Sequence, residues 1–326
     1  MSDRVLITGA SGFLGYHIIE AALEGGLTVY AAVRKSSRIE HLEKLPIHYL
    51  FLDFDNEADI ADQLLTHQIN FIIHAAGDTK AATQQAYDHI NATYTLNLAK
   101  AAQKSGLVKK IVFISSLAAV GPLSTTGAQL TESSPANPVT AYGRSKLLAE
   151  KYLTEQNIPV TILRPTAIYG PRDKNIFILI KIINRGFEPY IGKLLQQLSF
   201  VHARDVADVA IHSLFINQTG IYNITDGNSY SRYQLADIVK RLLGKKTTRF
   251  HIPLPLVKVL AYFLENWNGL LKKPAVINRE KLHELAAVNW VCDISKASAD
   301  LGFAPKYNLA DGLADTINWY RRHKWL

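Results

Sequence analysis

The chain has 326 residues, a formal net charge of +8, and 48% apolar against 20% charged residues. That balance excludes a disordered chain and allows one large α/β unit with an added lobe. The only cysteine, Cys292, excludes an intrachain disulfide, and the dispersed Lys and Arg argue for a solvated surface and against a nucleic-acid partner.

Arg4-Val-Leu-Ile-Thr8 is an apolar run that leads directly into Gly9-Ala-Ser-Gly12-Phe-Leu-Gly15. Beyond Gly15, Leu14, Ile18, Ala21 and Ala22 recur at helical spacing until Gly25-Gly26. A strand that turns on three glycines into a helix N-terminus suits a dinucleotide. The first glycine makes the tight turn, the second lets the backbone approach a pyrophosphate, and the third lets helix and strand pack closely.

Further buried strands are expected at Thr28–Val33, Ile47–Leu52, Asn70–His74, Lys110–Ser115 and Val160–Arg164. Helices are expected at about Gln84–Ser105 and Ala141–Gln156, with a Gly/Pro/Ser/Thr-rich loop, Gly121–Val139, before the second. Past Pro165 the rhythm loosens into a helix at Asn175–Arg185, a short strand at Leu198–His202, a helix at Asp205–Phe215 and a strand at Ile221–Ile224. The remainder reads as mostly helical.

The alternation gives an α/β fold, a doubly wound parallel (Rossmann) sheet with a smaller, mostly helical C-terminal substrate lobe. Residues 1–170 form the nucleotide-binding domain, to which 201–224 and about 288–300 return; 171–200, 225–287 and 301–326 form the lobe. No secretory leader is expected, since Asp3 and Arg4 precede the first strand. The longest apolar stretch, Ile252–Leu264, is interrupted by Lys258 and falls short of the ~20 residues of a membrane span. A reducing, cytoplasmic location is expected. The eleven histidines form no ligand cluster, so no metal is expected.

Tyr142-Gly-Arg-Ser-Lys146 places a phenol and an ammonium four residues apart on one helix face. A free tyrosine titrates near pH ~10, and a nearby Lys⁺ favours its phenolate. Ser116, at the end of the fifth strand, shares the sheet edge of the glycine loop and can hydrogen-bond a substrate oxygen.

These motifs resemble those of the extended branch of the short-chain dehydrogenase/reductase superfamily, the NAD-dependent epimerase/dehydratase family. Thr8-Gly-Ala-Ser-Gly12-Phe-Leu-Gly15 looks like its nucleotide loop, with Thr8, Gly9, Ser11, Gly12, Phe13, Leu14 and Gly15 at the cofactor. Ser116, Tyr142 and Lys146 look like its catalytic triad. The likeness continues through Leu52-Asp53, His74-Ala-Ala-Gly77, Asn91, Leu163-Arg-Pro165, Phe200–Asp205 and Asp293-Ile-Ser-Lys296.

By that resemblance Tyr142 is the general acid/base, Lys146 holds the nicotinamide ribose and lowers the tyrosine pKa, and Ser116 polarises the substrate oxygen. Asp53 and Phe54 border the adenine, Ala75, Ala76 and Gly77 line the cofactor cleft, and Pro165 lies beside the nicotinamide. Asn91 is as readily a structural hydrogen bond, and His202 and Asp205 tie a strand to a helix. A homodimer through two helices of the sheet is also implied.

Where NAD-preferring members carry an acid after the second strand, this chain has Arg34-Lys-Ser-Ser-Arg38 and no acid before Glu40. Arg34 and Lys35 can hold a 2′-phosphate, which favours NADP(H), with NAD(H) possible. Sugar-nucleotide members place an arginine where Leu198 and Ser199 stand, and a second upstream of Asp293, where Ala287–Cys292 has none. Arg172, Lys174, Lys181 and Arg185 are the nearby cations that can compensate.

The apolar 252–264 segment and Trp267 point to the dihydroflavonol-reductase and 3β-hydroxysteroid-dehydrogenase side, either by contacting substrate or by packing. The expected activity is hydride transfer between NADP(H) and an alcohol or ketone, a small-molecule substrate. A sugar-nucleotide epimerase or dehydratase is the enzymatic alternative, and a non-catalytic NADP(H) sensor is the alternative of another class.

Overall fold

The β-branched and apolar runs form a seven-stranded, fully parallel sheet in the computed structural model, which describes residues 3–259 and 279–326. Its strands are Arg4–Thr8 (β1), Thr28–Ala32 (β2), His48–Leu50 (β3), Phe71–His74 (β4), Lys110–Ile114 (β5), Val160–Pro165 (β6) and, after four short strands outside it, Gly220–Ile224 (β11). Those four are Ala167–Tyr169 (β7), Phe187–Ile191 (β8), Gln197–Leu198 (β9) and Phe200–His202 (β10). The order β11-β6-β5-β4-β1-β2-β3 reverses direction at β1, so a crevice opens between the carboxyl ends of β1 and β4.

Helices Phe13–Glu24 (α1) and Ala203–His212 (α7) cover one face, where Ile18, Ile19, Val206 and Ala210 are fully buried on Val5, Ile7 and Val29. Helices Glu57–Thr66 (α2), Tyr94–Ser105 (α4) and Ala141–Thr154 (α5) cover the other, over Leu6, Ile72, Ile111 and Ile162. A third core joins Ile180 and Ile183 of Lys174–Asn184 (α6) with Leu235 and Val239 of Gln234–Leu243 (α8) and with the helix Leu309–Arg322. No helix among the described residues is long and apolar enough to cross a membrane.

The structure differs from the sequence expectations in four places. The expected 84–105 helix is divided into Gln84–Asp88 (α3), a π-helical turn at His89–Thr93, and α4. The third strand keeps only its middle, because beyond Leu50 the backbone leaves the ladder. The 198–202 strand divides at Ser199: β9 pairs antiparallel with Tyr230–Ser231 (β12), while β10 pairs parallel with β7. The region beyond 225 also carries Thr248–Ile252 (β13), paired with β8. Of the apolar 252–264 segment, Ile252 ends β13 and 254–259 is helical; residues 260–264 and Trp267 lie outside the described residues.

One buried ion pair ties α5 to the sheet. Arg164, at the end of β6, grips Glu150 with two parallel hydrogen bonds, Nε to Oε1 at 2.9 Å and Nη2 to Oε2. Ser115 donates to the same carboxylate. Removing one partner strands the other charge in the interior. Glu150→Ala is expected to lose about 3–5 kcal/mol of stability, read from urea unfolding. A loss below about 1 kcal/mol would show that the pair does not hold the helix.

Candidate active site

The crevice between β1 and β4 is bounded by the glycine loop on one side and Ala75-Ala76-Gly77 on the other. Gly9 adopts φ +68°, and a Cβ there would lie 2.6 Å from the Ala75 carbonyl oxygen. Gly15 is equally constrained, since its Cβ would overlap the Gly9 carbonyl. Gly12 is the N-cap of α1 and offers no side-chain cap, whereas Asn56, Thr83 and Thr140 cap α2, α3 and α5. The first N–H groups of α1, on Phe13 and Leu14, are therefore left for an anion at the positive end of the helix dipole. The residues present fit a dinucleotide pyrophosphate.

Polar side chains hold the floor of this crevice. Thr8 Oγ1 meets His74 Nδ1 at 2.6 Å and accepts the Ala76 N–H at 3.1 Å. His74 Nε2 meets Thr95 Oγ1 at 2.9 Å. Burial pushes the His74 pKa down to about 3, so the ring is neutral and can donate from one nitrogen while accepting at the other. Asn91, in the π turn, accepts from the Asp78 N–H and donates to Asp78 O and Ser145 Oγ. It fixes the Gly77–Asp78 backbone against α5.

Ser116, Tyr142 and Lys146 come together where β5 ends beside the first turn of α5. The Tyr142 hydroxyl is hydrogen-bonded to Ser116. Ser116 Oγ also accepts the Ala118 N–H, capping the short 3₁₀ turn Leu117–Ala119. Lys146 is buried; Nζ donates to Ile114 O at 2.8 Å and lies 4.5 Å from the centre of the Phe113 ring. A Cβ on Gly77 would meet that Nζ at 3.4 Å, so the ammonium faces the cofactor crevice.

The electrostatics differ from the sequence expectation. Burial pushes the Tyr142 phenol up to about 12, with the Ser116 hydrogen bond acting in the opposite direction. Burial draws Lys146 down to about 8, with Glu150 opposing. Burial outweighs any effect of Lys146 on the phenol, and the Lys146 ammonium donates to Ile114 O. A phenol that keeps its proton at neutral pH is suited to giving one away.

Arg34 and Lys35 are exposed just past β2, and neither forms an ion pair among the described residues. Asp53 is exposed and accepts the Asp55 N–H, while Phe54 stacks on Tyr94 at 5.6 Å. Pro165 is buried at the end of β6 and borders a cavity of about 490 Å³ that also reaches Ser116. Beyond it the walls are largely apolar, among them Leu179, Ile191, Leu198, Phe200 and Trp290. His202, ending β10, caps α7, and Asp205 accepts the N–H groups of Lys306 and Tyr307. Arg172 packs 4.0 Å from the centre of the Tyr16 ring.

Four contributors were not read from the sequence. Gly143, inside the Tyr-Gly-Arg-Ser-Lys run, lets α5 press on the Ala118 carbonyl, which its Cβ would overlap. Thr166 carries a buried, unpartnered hydroxyl on the cavity wall. Glu150 lies one turn beyond Lys146, and Arg232 lines the cavity. The glycine inside the helix was a signal that could have been used; the others depend on tertiary contacts.

Residues 5–225 match the model of the NAD dependent epimerase/dehydratase family. The chain belongs to that family. It is an enzyme with a nicotinamide-dinucleotide fold, and its relatives include epimerases, dehydratases and reductases. It is 26% identical to a ceramide reductase of Caulobacter vibrioides over 99% of this chain and 96% of that protein. It is 28% identical to a putative dihydroflavonol 4-reductase of Synechocystis, over 100% and 97% respectively. The UDP-glucose 4-epimerase of Thermotoga maritima shares the fold, with a TM-score of 0.81 at 22% identity over 98% of this chain and 99% of that one.

The shifted Lys146 sets a pH dependence. As pH rises through about 8 the ammonium loses its proton, while Tyr142, near 12, keeps its own. Carbonyl reduction is expected to hold steady at neutral pH and to fall as pH passes through about 8, measured as kcat against pH. A rate that stays level well above that point would show that the charge on Lys146 is not needed.

Proposed function

We propose that the enzyme is an NADP(H)-dependent reductase of a bulky ketone or aldehyde. The observation that carries this reading is the Ser116 hydroxyl, which lines a largely apolar cavity and is hydrogen-bonded to Tyr142, whose phenol burial pushes up to about 12. Leu198 and Ser199 both line that cavity, and Ser199 Oγ is spent on Asn228 O, so the place used by sugar-nucleotide members for an arginine holds no cation. Apolar walls contribute affinity through area removed from water, at ~25 cal/mol per Å².

The bound nicotinamide supplies the hydride in this reading. The residues fitted to hold it are the α1 N-terminus at the pyrophosphate, Arg34 and Lys35 at a 2′-phosphate, and Asp53 and Phe54 at the adenine. Ala75, Ala76, Gly77 and Pro165 border the crevice, and Lys146 reaches the ribose. Tyr142 gives its proton to the substrate oxygen, and Ser116 donates a hydrogen bond to that oxygen as negative charge develops on it. The reading extends to a homodimer, as the family resemblance implies, and to a reducing, cytoplasmic setting, as the single cysteine suggests.

Sugar-nucleotide epimerisation is the second reading, supported by the names of several relatives, among them a UDP-glucose 4-epimerase. Purified protein is expected to oxidise NADPH with a bulky apolar ketone and to show no saturable binding of uridine or thymidine diphosphate sugars. Tyr142→Phe keeps the ring and removes the proton, so kcat is expected to fall at least about a hundredfold with cofactor affinity nearly unchanged. Release of an epimerised sugar nucleotide without net cofactor turnover would decide for the second reading.

Cofactor choice has its own measurement. Calorimetric titration is expected to show NADPH binding more tightly than NADH, and Arg34→Asp to narrow or invert the ratio. Equal affinities in the parent protein would remove the basis for assigning a 2′-phosphate site.

A further inference from the structure

The cavity wall contains one guanidinium whose position the reductase reading leaves unexplained. Arg232 lies between β12 and α8, and β12 runs antiparallel to β9 with Tyr230 opposite Leu198 and Ser231 opposite Gln197. It thus directly follows the strand that pairs with β9, whose Leu198 stands where sugar-nucleotide members carry an arginine. This chain has leucine at that place and a cation just past the end of the neighbouring strand.

Among the described residues, Arg232 forms no ion pair. Nη1 donates to the carbonyls of Gly192 and Leu194, at 3.4 and 3.1 Å, and Nη2 to that of Ile191 at 2.9 Å. These three bonds leave two of the five N–H groups over, and Nε is buried without a partner. The guanidinium carbon lies 5.1 and 5.7 Å from the ring centres of Tyr190 and Tyr233. Glu188 lines the same cavity, but its carboxylate is taken by Lys240, Arg249, Thr247 and Tyr190 at 2.7–2.9 Å. Glu284 also lines the cavity, and its field acts on Tyr142.

A half-buried guanidinium held by neutral carbonyls and aromatic faces is a strong partner for an oxyanion, since its planar N–H pairs match carboxylate and phosphate geometry. We propose that Arg232 anchors an oxyanion, so that the substrate is an amphiphile whose apolar body fills the cavity and whose carboxylate or phosphate head reaches the guanidinium. This rests on the reductase reading for the placing of the carbonyl at Tyr142, but the anchor itself is testable without turnover.

The test titrates the NADPH-loaded protein by calorimetry, below micelle-forming concentrations, with dodecyl phosphate, laurate and 1-dodecanol. At least one anionic probe is expected to bind about tenfold or more tightly than the alcohol, and added salt to shrink the difference. The phosphate and carboxylate arms show which head the site takes. Arg232→Gln is expected to abolish the preference while leaving dodecanol affinity within about twofold, and Arg232→Lys to retain part of it. NADPH affinity and the melting temperature check that both variants are folded. Equal binding of all three probes by the parent protein overturns the anchor and leaves Arg232 as a brace for the 191–194 loop; that comparison stands even if the glutamine variant does not fold. An anion preference with no ketone reduction keeps the anchor and removes the reductase reading.

Discussion

The contact on which the site depends is the approach of the glycine loop to the Ala75–Ala76 peptide across the point where the sheet reverses its winding. No side chain fits between Gly9 and the Ala75 carbonyl, and none between Gly15 and the Gly9 carbonyl. That closeness lets Thr8 Oγ1 serve both His74 and the Ala76 N–H, so the two lips of the crevice form one hydrogen-bonded unit. The uncapped start of α1 then faces open space, where its N–H groups retain their affinity for negative charge.

A second polar system fixes the other half of the site. Arg164, Glu150 and Ser115 join β6, α5 and β5, and Ser115 immediately precedes Ser116. Asn91 joins the Gly77–Asp78 backbone to Ser145, one residue before Lys146. Ser116 and Lys146 are thus each adjacent in sequence to a residue bound in the interior. Such networks restrict the site to a narrow set of geometries, which is what proton transfer over a single hydrogen bond requires.

Much of this was legible in the sequence, because the first half of the chain follows local rules. Parallel strands buried on both faces read as continuous apolar runs, and the glycine loop, Ser116, Tyr142 and Lys146 sit at fixed places relative to them. The π turn at His89–Thr93 was not legible, since helical periodicity continues through it and only its contacts reveal the extra residue. Strands β8 and β13 escaped notice because their pairing joins segments far apart in the chain. The upward push of burial on Tyr142 was not legible either, since it depends on packing. Spacing places Lys146 on the same helix face, but the Ile114 carbonyl, from another element, takes its ammonium. Arg232 went unnoticed because its relation to Leu198 exists only across the β9–β12 pair.

Gly143 shows how the site limits the protein's evolution. Glycine inside a helix costs about 1 kcal/mol relative to alanine, so an exchange at this position looks like an easy gain in thermostability. Here the added methyl would overlap the Ala118 carbonyl and lever the start of α5, with Tyr142, away from Ser116. The same methyl that would harden the helix would also disturb the side chains proposed for catalysis. A lineage adapting to heat is therefore closed off from this route and must find its increments in parts of the chain that do not touch the 3₁₀ turn.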